Sequence, residues 1–560
     1  MAFCRRREKP GARVVVPVEP SADQSAESAE PSASTATRPE ADPPRVGRLR
    51  RIAGAARANA ARTGLAAAAG LALTLAFPPY GVWPLSVLAV TALSLLTRGV
   101  TWRQGAWTGF AFALPFFLWL LYWLNGSIGA DAWLVLSPVE ALYFALLGAA
   151  LAVVGRLPWW PLWTACLWVG QEALRGRWPL GGFPWGRLSL TSADSPFAPL
   201  AAIGGQPLVG FAVALSGALL AAAVLTTRRA RVGWAAVLVV AAVAVGAVGR
   251  FVPLPTAGQS SSAGPAYARI AIVQGNVPHA GMDFLGRPMQ VLDNHVRETE
   301  KLAAEVAAGR VAKPDLVVWP ENASDLDPYS YPEVYSAMDT AVRAIGVPVL
   351  IGTLTDAPGG RYYNESIVWD PTTGPGAHYA KQHLVPLGEY VPFRSVLTRF
   401  VTALRRIPVD FAPGHTPGVL KVGPAVIGEA ICFEVAYDDV IGSAVDKGGR
   451  VLVVPTNNAT YERTDQPEQQ FTISRLRAME TGRAVVISAT SGISGFIAPD
   501  GKVVAKTKLA TAATVEERVP LRDQRTLADR LGAGPEWFLT GLGVLAWGAA
   551  MLRTRRRARS

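Results

Sequence analysis

The sequence has few charged residues and very few cysteines. Only 17% of its 560 residues are charged and 50% are hydrophobic, with a mean hydropathy of +0.24. Soluble globular proteins have about a quarter of their residues charged, so this composition excludes an ordinary soluble protein and indicates burial in a bilayer. The three cysteines, Cys4, Cys166 and Cys432, are too widely spaced for a disulfide scaffold or a metal cluster.

The positive charge lies mainly at the two ends of the chain. The formal net charge is +12, and residues 1–63 contain twelve Lys and Arg against seven Asp and Glu. Five further arginines lie between Arg553 and Arg559. A nucleic-acid site would need basic and aromatic residues interleaved on a folded face, so we expect no nucleic-acid partner. The pattern instead favours anchoring at an anionic membrane surface.

Eight apolar runs predict membrane-spanning helices. Residues 1–58 are rich in Ser, Ala, Pro, Glu and Arg and nearly free of aromatic residues, which predicts a disordered tail. Beyond this tail, several apolar runs approach the length of about 20 residues that a spanning helix needs. The candidate spans are 60–77, 81–97, 105–125, 132–155, 158–174, 197–226, 233–252 and 536–552.

Arginines in the joints between these runs predict the orientation. Those after the second, fourth, sixth and eighth spans lie on the side of the basic N-terminal tail, which the positive-inside rule assigns to the cytoplasm. The outer joint 175–195 is the exception, because it contains Arg175, Arg177 and Arg187. Either these arginines contact lipid phosphates or they lie at the interface with their charges in water. Glu140 and Glu172 fall in apolar runs, so we expect them to face the helix bundle.

The sequence pattern of the soluble part is typical of an α/β domain. Short apolar, β-branched runs alternate with helical stretches at 289–309 and 466–483, which predicts a sheet covered by helices. The strand-like runs are 269–274, 315–319, 347–351, 366–369, 425–431, 451–454 and 484–488. The predicted order is a disordered basic tail (1–58), a seven-span membrane domain (59–252), a linker (253–266), an extracytoplasmic α/β domain (267–530), a final transmembrane helix (531–553) and a basic cytoplasmic tail (554–560).

Three reactive residue types follow strand-like runs of this domain. They are Glu321 in WPE, Lys381 in YAKQHLVP and Cys432 in AICFE. Strand ends are where reactive groups collect in α/β proteins. A carboxylate that takes the thiol proton and an ammonium that stabilises an oxyanion would together support acyl transfer through a thioester. Taken singly, each residue also has an ordinary explanation: a buried core cysteine, a solvated lysine and a carboxylate near a helix N-terminus.

These motifs together resemble a known family. Glu321, Lys381 and Cys432 are similar to the Glu–Lys–Cys triad of the nitrilase superfamily. The multi-span N-terminal half and three further motifs resemble, more narrowly, the membrane-bound apolipoprotein N-acyltransferase family. The three motifs are VQGNVP at 273–278, YYNES at 362–366 and HLVPLGEYVPFR at 383–394.

The resemblance implies an αββα nitrilase-like sandwich on an eight-helix membrane domain, at the outer face of the cytoplasmic membrane. It implies transfer of an acyl chain from a phospholipid donor to the α-amine of the S-diacylglyceryl-cysteine of a lipoprotein acceptor, without a cofactor or a metal. In this scheme Glu321 is the general base, Lys381 stabilises the oxyanion and Cys432 is the nucleophile.

The resemblance also implies further site residues. Supporting roles fall to Glu389, Glu434 and Asn364. The segment GFPWG, at 182–186, is similar to the family's membrane-facing loop. The substrate-binding residues expected on this basis are Phe183, Pro184, Trp185, Arg187, Phe433 and Tyr461. Phe433 departs from the Tyr that is frequent after the nucleophile, and Tyr461 stands where Trp is common.

Two other functions remain open from the sequence. A membrane-tethered nitrilase-like amidase would use the same triad on a small soluble substrate, but would not need the preceding spans. A non-catalytic envelope lipid-binding protein would not need the three reactive residues. The oligomeric state, the preferred acyl chain and the lipid head group have no signature in the sequence.

Overall fold

The computed structural model describes residues 45–227, 231–277, 288–400, 409–461 and 463–559. The chain divides into two units, residues 1–57 and residues 58–560. Of the first unit only residues 45–57 are described, and they belong to helix α1 (Arg45–Thr74). Most of the predicted disordered tail therefore lies outside the described residues. Its last part, 45–58, is helical, because Arg, Ala and Leu favour helix.

Helices form at all eight positions where apolar runs occur. A short extra helix, α4, follows the third run. The helices after α1 are α2 (Pro84–Leu96), α3 (Trp102–Leu120), α4 (Trp123–Ser127), α5 (Ala130–Val154), α6 (Trp160–Arg175), α7 (Ala201–Thr227), α8 (Val232–Val248) and, at the end of the chain, α15 (Gly534–Arg559).

Three of the described helices are long and apolar enough to cross a membrane. They span Ala130–Val154, Ala198–Thr227 and Val232–Phe251. Helices α2 and α6 are shorter, with 13 and 16 residues. A helix rises about 1.5 Å per residue, so these two are shorter than the roughly 30 Å hydrocarbon core. Three predicted spans are thus supported by length and composition, and the total of eight stays a prediction.

Buried polar pairs hold the loop that follows α6. Arg175 donates to Glu140 at 2.9 Å, and Glu172 accepts from the Trp168 indole at 3.0 Å and from the Leu188 backbone N–H at 2.8 Å. Both carboxylates therefore face the helix bundle, as the sequence predicts. Their partners hold the start of the loop between α6 and α7, at Arg175, and its middle, at Leu188.

The second half of the chain contains twelve strands in two sheets within its described residues. The first sheet has the order β12-β1-β2-β3-β4-β5 and the second β11-β10-β9-β8-β7-β6. The strands are β1 (Tyr267–Gln274), β2 (Leu316–Val318), β3 (Val349–Ala357), β4 (Arg361–Asp370), β5 (Gly374–Ala380), β6 (Val419–Val422), β7 (Ala425–Glu429), β8 (Val451–Thr456), β9 (Val485–Ala489), β10 (Gly495–Ile497), β11 (Val503–Lys506) and β12 (Ala513–Pro520).

Helices cover the outer face of each sheet. Ile270, Val318 and Ile427 belong to one buried cluster between the sheets. On the outside, α9 and α10 cover the first sheet, where Met338 packs in one cluster with Trp319. Helices α12 and α13 cover the second sheet. The four helices and their smaller neighbours are α9 (Pro288–Ala307), α10 (Pro332–Ile345), α11 (Arg394–Phe400), α12 (Asp438–Asp446), α13 (Gln466–Thr481) and α14 (Leu527–Leu531). The predicted αββα sandwich is confirmed.

All seven strands predicted from apolar runs are present, whereas five others were not predicted. The five are β5, β6, β10, β11 and β12. Strand β5 begins Gly-Pro-Gly, and β12 carries Glu516, Glu517 and Arg518 at the edge of its sheet. The edge strands β5, β6, β11 and β12 need no continuous apolar run, because one side of each is open. Strand β10 is fully buried, and its three residues are too short a run to be recognised.

The predicted linker, 253–266, is held against the α/β half of the chain. The Gln259 backbone N–H donates to the Leu521 carbonyl at 2.8 Å, and Arg450 donates to the Pro265 carbonyl at 2.8 Å. Side-chain and backbone groups beyond the linker therefore bind a segment whose composition alone suggests a flexible tether.

Candidate active site

Glu321, Lys381 and Cys432 lie in one buried site at the ends of strands. Glu321 comes three residues after β2, Lys381 directly follows β5, and Cys432 opens a 3-10 turn, Cys432–Ala436, after β7. Their exposed fractions are 5%, 2% and 8%. The residues at these strand ends face one another because the two sheets are packed face to face.

The lysine is bound by two carboxylates. Lys381 Nζ donates to Glu321 Oε1 at 2.9 Å and to Glu389 Oε1 at 2.9 Å. Asn364 Nδ2 donates to the same two oxygens, at 2.7 and 2.8 Å. The predicted supporting residues Asn364 and Glu389 thus lie against the triad and fix its carboxylate and ammonium.

Charge neighbours set the protonation of the site. Burial works to lower the pKa of Lys381, but the charges of Glu321 and Glu389 outweigh burial and raise this pKa well above its usual value. Burial, and then the charge of Glu321, raise the pKa of Cys432 to about 12, although the Lys381 ammonium opposes the shift. At neutral pH the lysine is therefore charged and the cysteine is a thiol.

The turn Cys432–Ala436, named the nucleophile turn after the role predicted for Cys432, has an uncommon backbone conformation. Cys432 has φ +54°, in the left-handed region that residues with a Cβ seldom adopt. Such a conformation costs on the order of 1–3 kcal/mol and persists only where surrounding contacts hold it. The turn therefore needs anchors, and it has two.

Glu434 is the first anchor of this turn. Its carboxylate is fully buried and accepts four hydrogen bonds. Burial raises the pKa of Glu434, whereas its N–H donors and the Lys381 charge oppose this shift. The ionised form fits the four donors, because a carboxylate offers only acceptors. It ties the segment after Lys381 to the turn of Cys432. The donors are the N–H of Ile431 at 2.8 Å, the Tyr379 hydroxyl at 2.9 Å, and the N–H groups of Gln382 at 2.6 Å and His383 at 3.0 Å.

Arg477 is the second anchor and was not predicted. This buried arginine of α13 donates to the carbonyls of Val435 at 2.8 Å and Ala436 at 2.9 Å, and to Asp438 at 2.8 Å. Nothing in the sequence marks it, because arginines on helices are mostly exposed.

Aromatic residues from the loop after α6 pack on the nucleophile turn. The Phe433 ring stacks on Phe183 with centroids 5.6 Å apart and on Trp185 at 5.4 Å. Trp185 also donates to Gln469 of α13 at 2.7 Å. Tyr461 contacts Trp123 edge to face at 5.3 Å. Phe183, Trp185 and Phe433 thus form one aromatic wall beside Cys432, and Pro184 is buried between its two ring-bearing neighbours.

The three arginines of the outer joint have protein partners. Arg175 and Arg187 are buried and pair with Glu140 at 2.9 Å and Asp438 at 2.8 Å. Arg177, which is partly exposed, pairs with Glu536. Contact with lipid phosphates, suggested by the sequence, is not the arrangement observed for the two buried arginines. Neutralising buried carboxylates explains their position.

The side chains of this site support covalent acyl transfer. A thiol, a carboxylate and an ammonium are groups that can serve as nucleophile, base and oxyanion stabiliser in such a reaction. Within the described residues, no group of three or more His, Cys, Asp or Glu is arranged to hold a metal ion. The aromatic wall gives the site an apolar flank.

The chain is similar to known proteins along most of its length. Residues 69–219 match the family model of the apolipoprotein N-acyltransferase N-terminal domain, and residues 269–528 match that of carbon-nitrogen hydrolase. Among solved structures, an amidase from Nesterenkonia sp. is 17% identical, with a TM-score of 0.34 and coverage of 50% of this chain and 100% of that chain.

Two full-length relatives are described as apolipoprotein N-acyltransferase. The protein of Mycolicibacterium smegmatis is 37% identical over 511 residues, which cover 87% of this chain and 85% of the relative. The protein of Azotobacter vinelandii is 32% identical over 527 residues, which cover 88% and 95%. Both halves of the chain are included in these matches, and the chain therefore belongs to the apolipoprotein N-acyltransferase family.

Proposed function

We propose that this enzyme moves a fatty acyl chain from a phospholipid to the α-amine of the S-diacylglyceryl-cysteine that begins a lipoprotein, through a thioester on Cys432. The observation that carries the proposal is the contact of Lys381 with Glu321 in a buried site whose nucleophile turn packs on the loop after α6. Family membership supplies the class of donor and acceptor.

In the first half-reaction, Glu321 takes the Cys432 proton as the sulfur attacks an ester carbonyl of the phospholipid. The high pKa of this thiol requires that the proton leaves during the attack. The Lys381 ammonium stabilises the oxyanion. The ester C–O bond then breaks, the lysophospholipid leaves as an alcohol with the proton from Glu321, and the acyl group remains on sulfur.

In the second half-reaction, the neutral α-amine of the lipoprotein attacks the thioester. An α-amine has a pKa of about 7.7–8.0, so a sizeable fraction is already neutral at neutral pH. One amine proton passes to Glu321, the C–S bond breaks, and the same proton returns to the Cys432 sulfur. The products are the N-acylated lipoprotein and the free enzyme, as in ping-pong kinetics.

The aromatic wall supports access for lipids from the side of the membrane domain. Phe183 and Trp185 belong to the loop between α6 and α7, whereas Phe433 belongs to the nucleophile turn. Each buried CH₂ of an acyl chain contributes about 0.8 kcal/mol, so a two-chain lipid binds best where it does not cross water. On this basis Phe183, Pro184, Trp185, Phe433 and Tyr461 bind the acyl chain.

The membrane topology is part of the same proposal. The eight helices at the predicted positions span the cytoplasmic membrane, both termini are cytoplasmic, and residues 267–530 lie outside. Arg98, after α2, donates to the Gly155 carbonyl, after α5, at 2.5 Å, which supports placing these two basic joints on one side. The ion pair of Arg177 with Glu536 supports placing the C-terminal end of α6 and the N-terminal end of α15 together on the other side.

Intact-mass spectrometry tests the proposal in two stages. Incubation of the purified enzyme with phospholipid alone is expected to add one acyl group to Cys432, and a diacylglyceryl lipopeptide added next should remove this adduct and gain the same mass. Cys432→Ala should form no adduct while inserting normally into membranes. Persistent lipopeptide acylation by that variant, or release of ammonia from small amides without an acyl adduct, would contradict the proposal.

A further inference from the structure

Glu429 is a buried carboxyl group three residues before Cys432. It is 0% exposed, and neither carboxylate oxygen is within hydrogen-bond distance and angle of a described residue, although the Ser366 hydroxyl is close enough to lower its pKa. Isolated ionised carboxylates are among the most costly groups to bury, and unsatisfied buried polar atoms are few in native proteins. The group therefore needs a physical explanation.

The position of Glu429 follows from strand alternation. Ala425 and Ile427 of β7 belong to the core between the sheets, so Glu429, two residues further, points into the same layer. On β4, Val368 packs on this core, which places Ser366 in the layer as well. The Ser366 hydroxyl is also buried, and it is the polar neighbour of Glu429, although the two groups do not meet the usual distance and angle of a hydrogen bond.

The groups around Glu429 come from five segments. Strand β5 presents Tyr379, the nucleophile turn presents Glu434, and β4 presents the uncharged Ser366. The neighbours on either side within the sheet are backbone: Glu429 donates its N–H to the Gly418 carbonyl at 2.6 Å, ahead of β6, and pairs with Val453 of β8. Among the residues that the structure describes, its titratable neighbours are therefore Glu434 and Tyr379, and neither is a cation.

Tyr379 and Glu434 connect this layer to the active site. The Tyr379 hydroxyl donates to Glu434 at 2.9 Å, and Glu434 in turn anchors both the Cys432 turn and the segment after Lys381. A second negative charge in the layer would repel Glu434 and attract the Tyr379 hydroxyl away from it. Both effects act on the carboxylate that holds the strained turn.

We propose that Glu429 is a positioning residue that works as the neutral carboxylic acid, and that its ionisation displaces Glu434 and disables the Cys432 turn. The neutral acid is a hydrogen-bond donor suited to the Ser366 hydroxyl, and it adds no second negative charge beside Glu434. Ionisation releases one proton to solvent and needs no other reactant. The inference rests on the proposed role of Cys432 as nucleophile.

Glu429 changes its protonation state within a pH range that an assay of the enzyme can cover. Burial, together with the charge of Glu434, raises the pKa of Glu429 to about 8, although Ser366 opposes the shift. At pH 9 about nine-tenths of such a group is ionised, so acylation should be roughly tenfold slower than the neutral form allows. Lys381 stays charged in this range, because Glu321 and Glu389 raise its pKa well above the usual value.

The test measures the first half-reaction alone, which avoids titration of the acceptor amine. Acyl–Cys432 formation from mixed micelles of dipalmitoyl phosphatidylethanolamine and phosphatidylglycerol is followed by quenched intact-mass spectrometry from pH 6 to pH 9.5. The wild-type rate should be about tenfold lower at pH 9 than at pH 7. Glu429→Gln, which keeps the size and cannot ionise, should change by no more than about twofold over this range.

Glu365→Gln is the matched control. Glu365 is also a buried carboxyl group and follows Asn364 on β4. Unlike Glu429, it accepts a hydrogen bond, from the Thr355 hydroxyl at 2.8 Å. This variant should keep the alkaline loss of rate. If Glu429→Gln fails to fold, as judged by its apparent Tm, Glu429→Ala and the infrared carbonyl band of the protonated acid in the wild type provide the same test.

The outcomes separate this inference from the proposed function. A wild-type rate that does not fall at high pH, or a Glu429→Gln profile that matches the wild type, would overturn the role of Glu429 and leave the triad intact. A wild-type enzyme that forms no acyl–Cys432 at any pH would overturn the triad and this inference with it. A flattened profile in Glu429→Gln alone supports the proposal.

Discussion

The Arg187 guanidinium donates to both carboxylate oxygens of Asp438, at 2.9 and 2.8 Å. Arg187 lies in the loop between α6 and α7, and Asp438 begins α12, two residues after the nucleophile turn. Asp438 is shared with Arg477, which binds the carbonyls of that turn. A buried ion-pair network therefore joins the loop of the helix bundle to the backbone that carries Cys432.

Removing one partner of this network should destabilise the protein strongly. Arg187→Ala leaves Asp438 with one cation instead of two, and loss of one partner of a buried pair typically costs about 3–5 kcal/mol. We expect a clear drop in the apparent Tm in detergent. Asp194→Ala is the control, because Asp194 pairs with Arg475 at 2.6 Å but is 71% exposed, and such pairs contribute about 1 kcal/mol or less. Equal drops for the two variants would contradict the network.

Glu434→Gln should slow acyl-enzyme formation by about 100-fold. The amide keeps one acceptor oxygen, but its NH₂ group would face N–H groups that now donate to the carboxylate. Each hydrogen bond to a charged group contributes about 1.5–3 kcal/mol. Tyr379→Phe removes only one of the four donors and should slow the reaction about fivefold. Stopped-time mass spectrometry of acyl–Cys432 checks both rates, and a Glu434→Gln rate close to wild type would refute the anchoring role.

Trp185 is expected to act through stacking more than through its hydrogen bond. Trp185→Phe keeps a ring on Phe433 and loses only the bond to Gln469, so it should cost about 1 kcal/mol. Trp185→Ala removes a fully buried ring and should cost about 3–5 kcal/mol and slow acylation. Trp159→Ala, at a site that is 77% exposed, serves as the control and should leave both the apparent Tm and the rate near wild type.

His295 should make the catalytic half sensitive to acid. Burial lowers the pKa of His295 to about 4, although its bond to the Val291 carbonyl opposes the shift. In the unfolded chain His295 binds a proton below about pH 6.5, whereas in the folded chain it stays neutral down to about pH 4. The free energy of unfolding is therefore highest above about pH 6.5 and falls as the pH drops towards 4.

The difference between the pKa values of His295 in the unfolded and the folded chain corresponds to a loss of about 3 kcal/mol of stability. His295→Leu should flatten the decline of the apparent Tm between pH 6.5 and pH 4. His378→Gln, at an exposed position of β5, should retain the wild-type decline. An unchanged slope in His295→Leu would show that other groups cause the acid sensitivity.

Local patterns predicted the parts of this protein that depend on neighbours in sequence. Apolar runs indicated the helices of the first half and the buried strands of the second, because burial on both faces demands continuous apolar residues. The edge strand β12, with three consecutive charged residues, has no such requirement and was missed. The triad was predicted from residue types at strand ends and from the family resemblance, and the structure brings Lys381 to 2.9 Å from Glu321.

The sequence by itself determined the two-part architecture, the family and the choice of the three side chains predicted to react, since each depends on composition or on a short motif. Only the tertiary structure decided the partners of the buried charges. Arg187 and Asp438 are 251 residues apart in the sequence. No motif around Arg477 or Glu429 indicates that their charged groups are buried. The cost of burying a charge depends on what surrounds it in space, and those surroundings exist only after the two sheets, the helices and the loop have packed together.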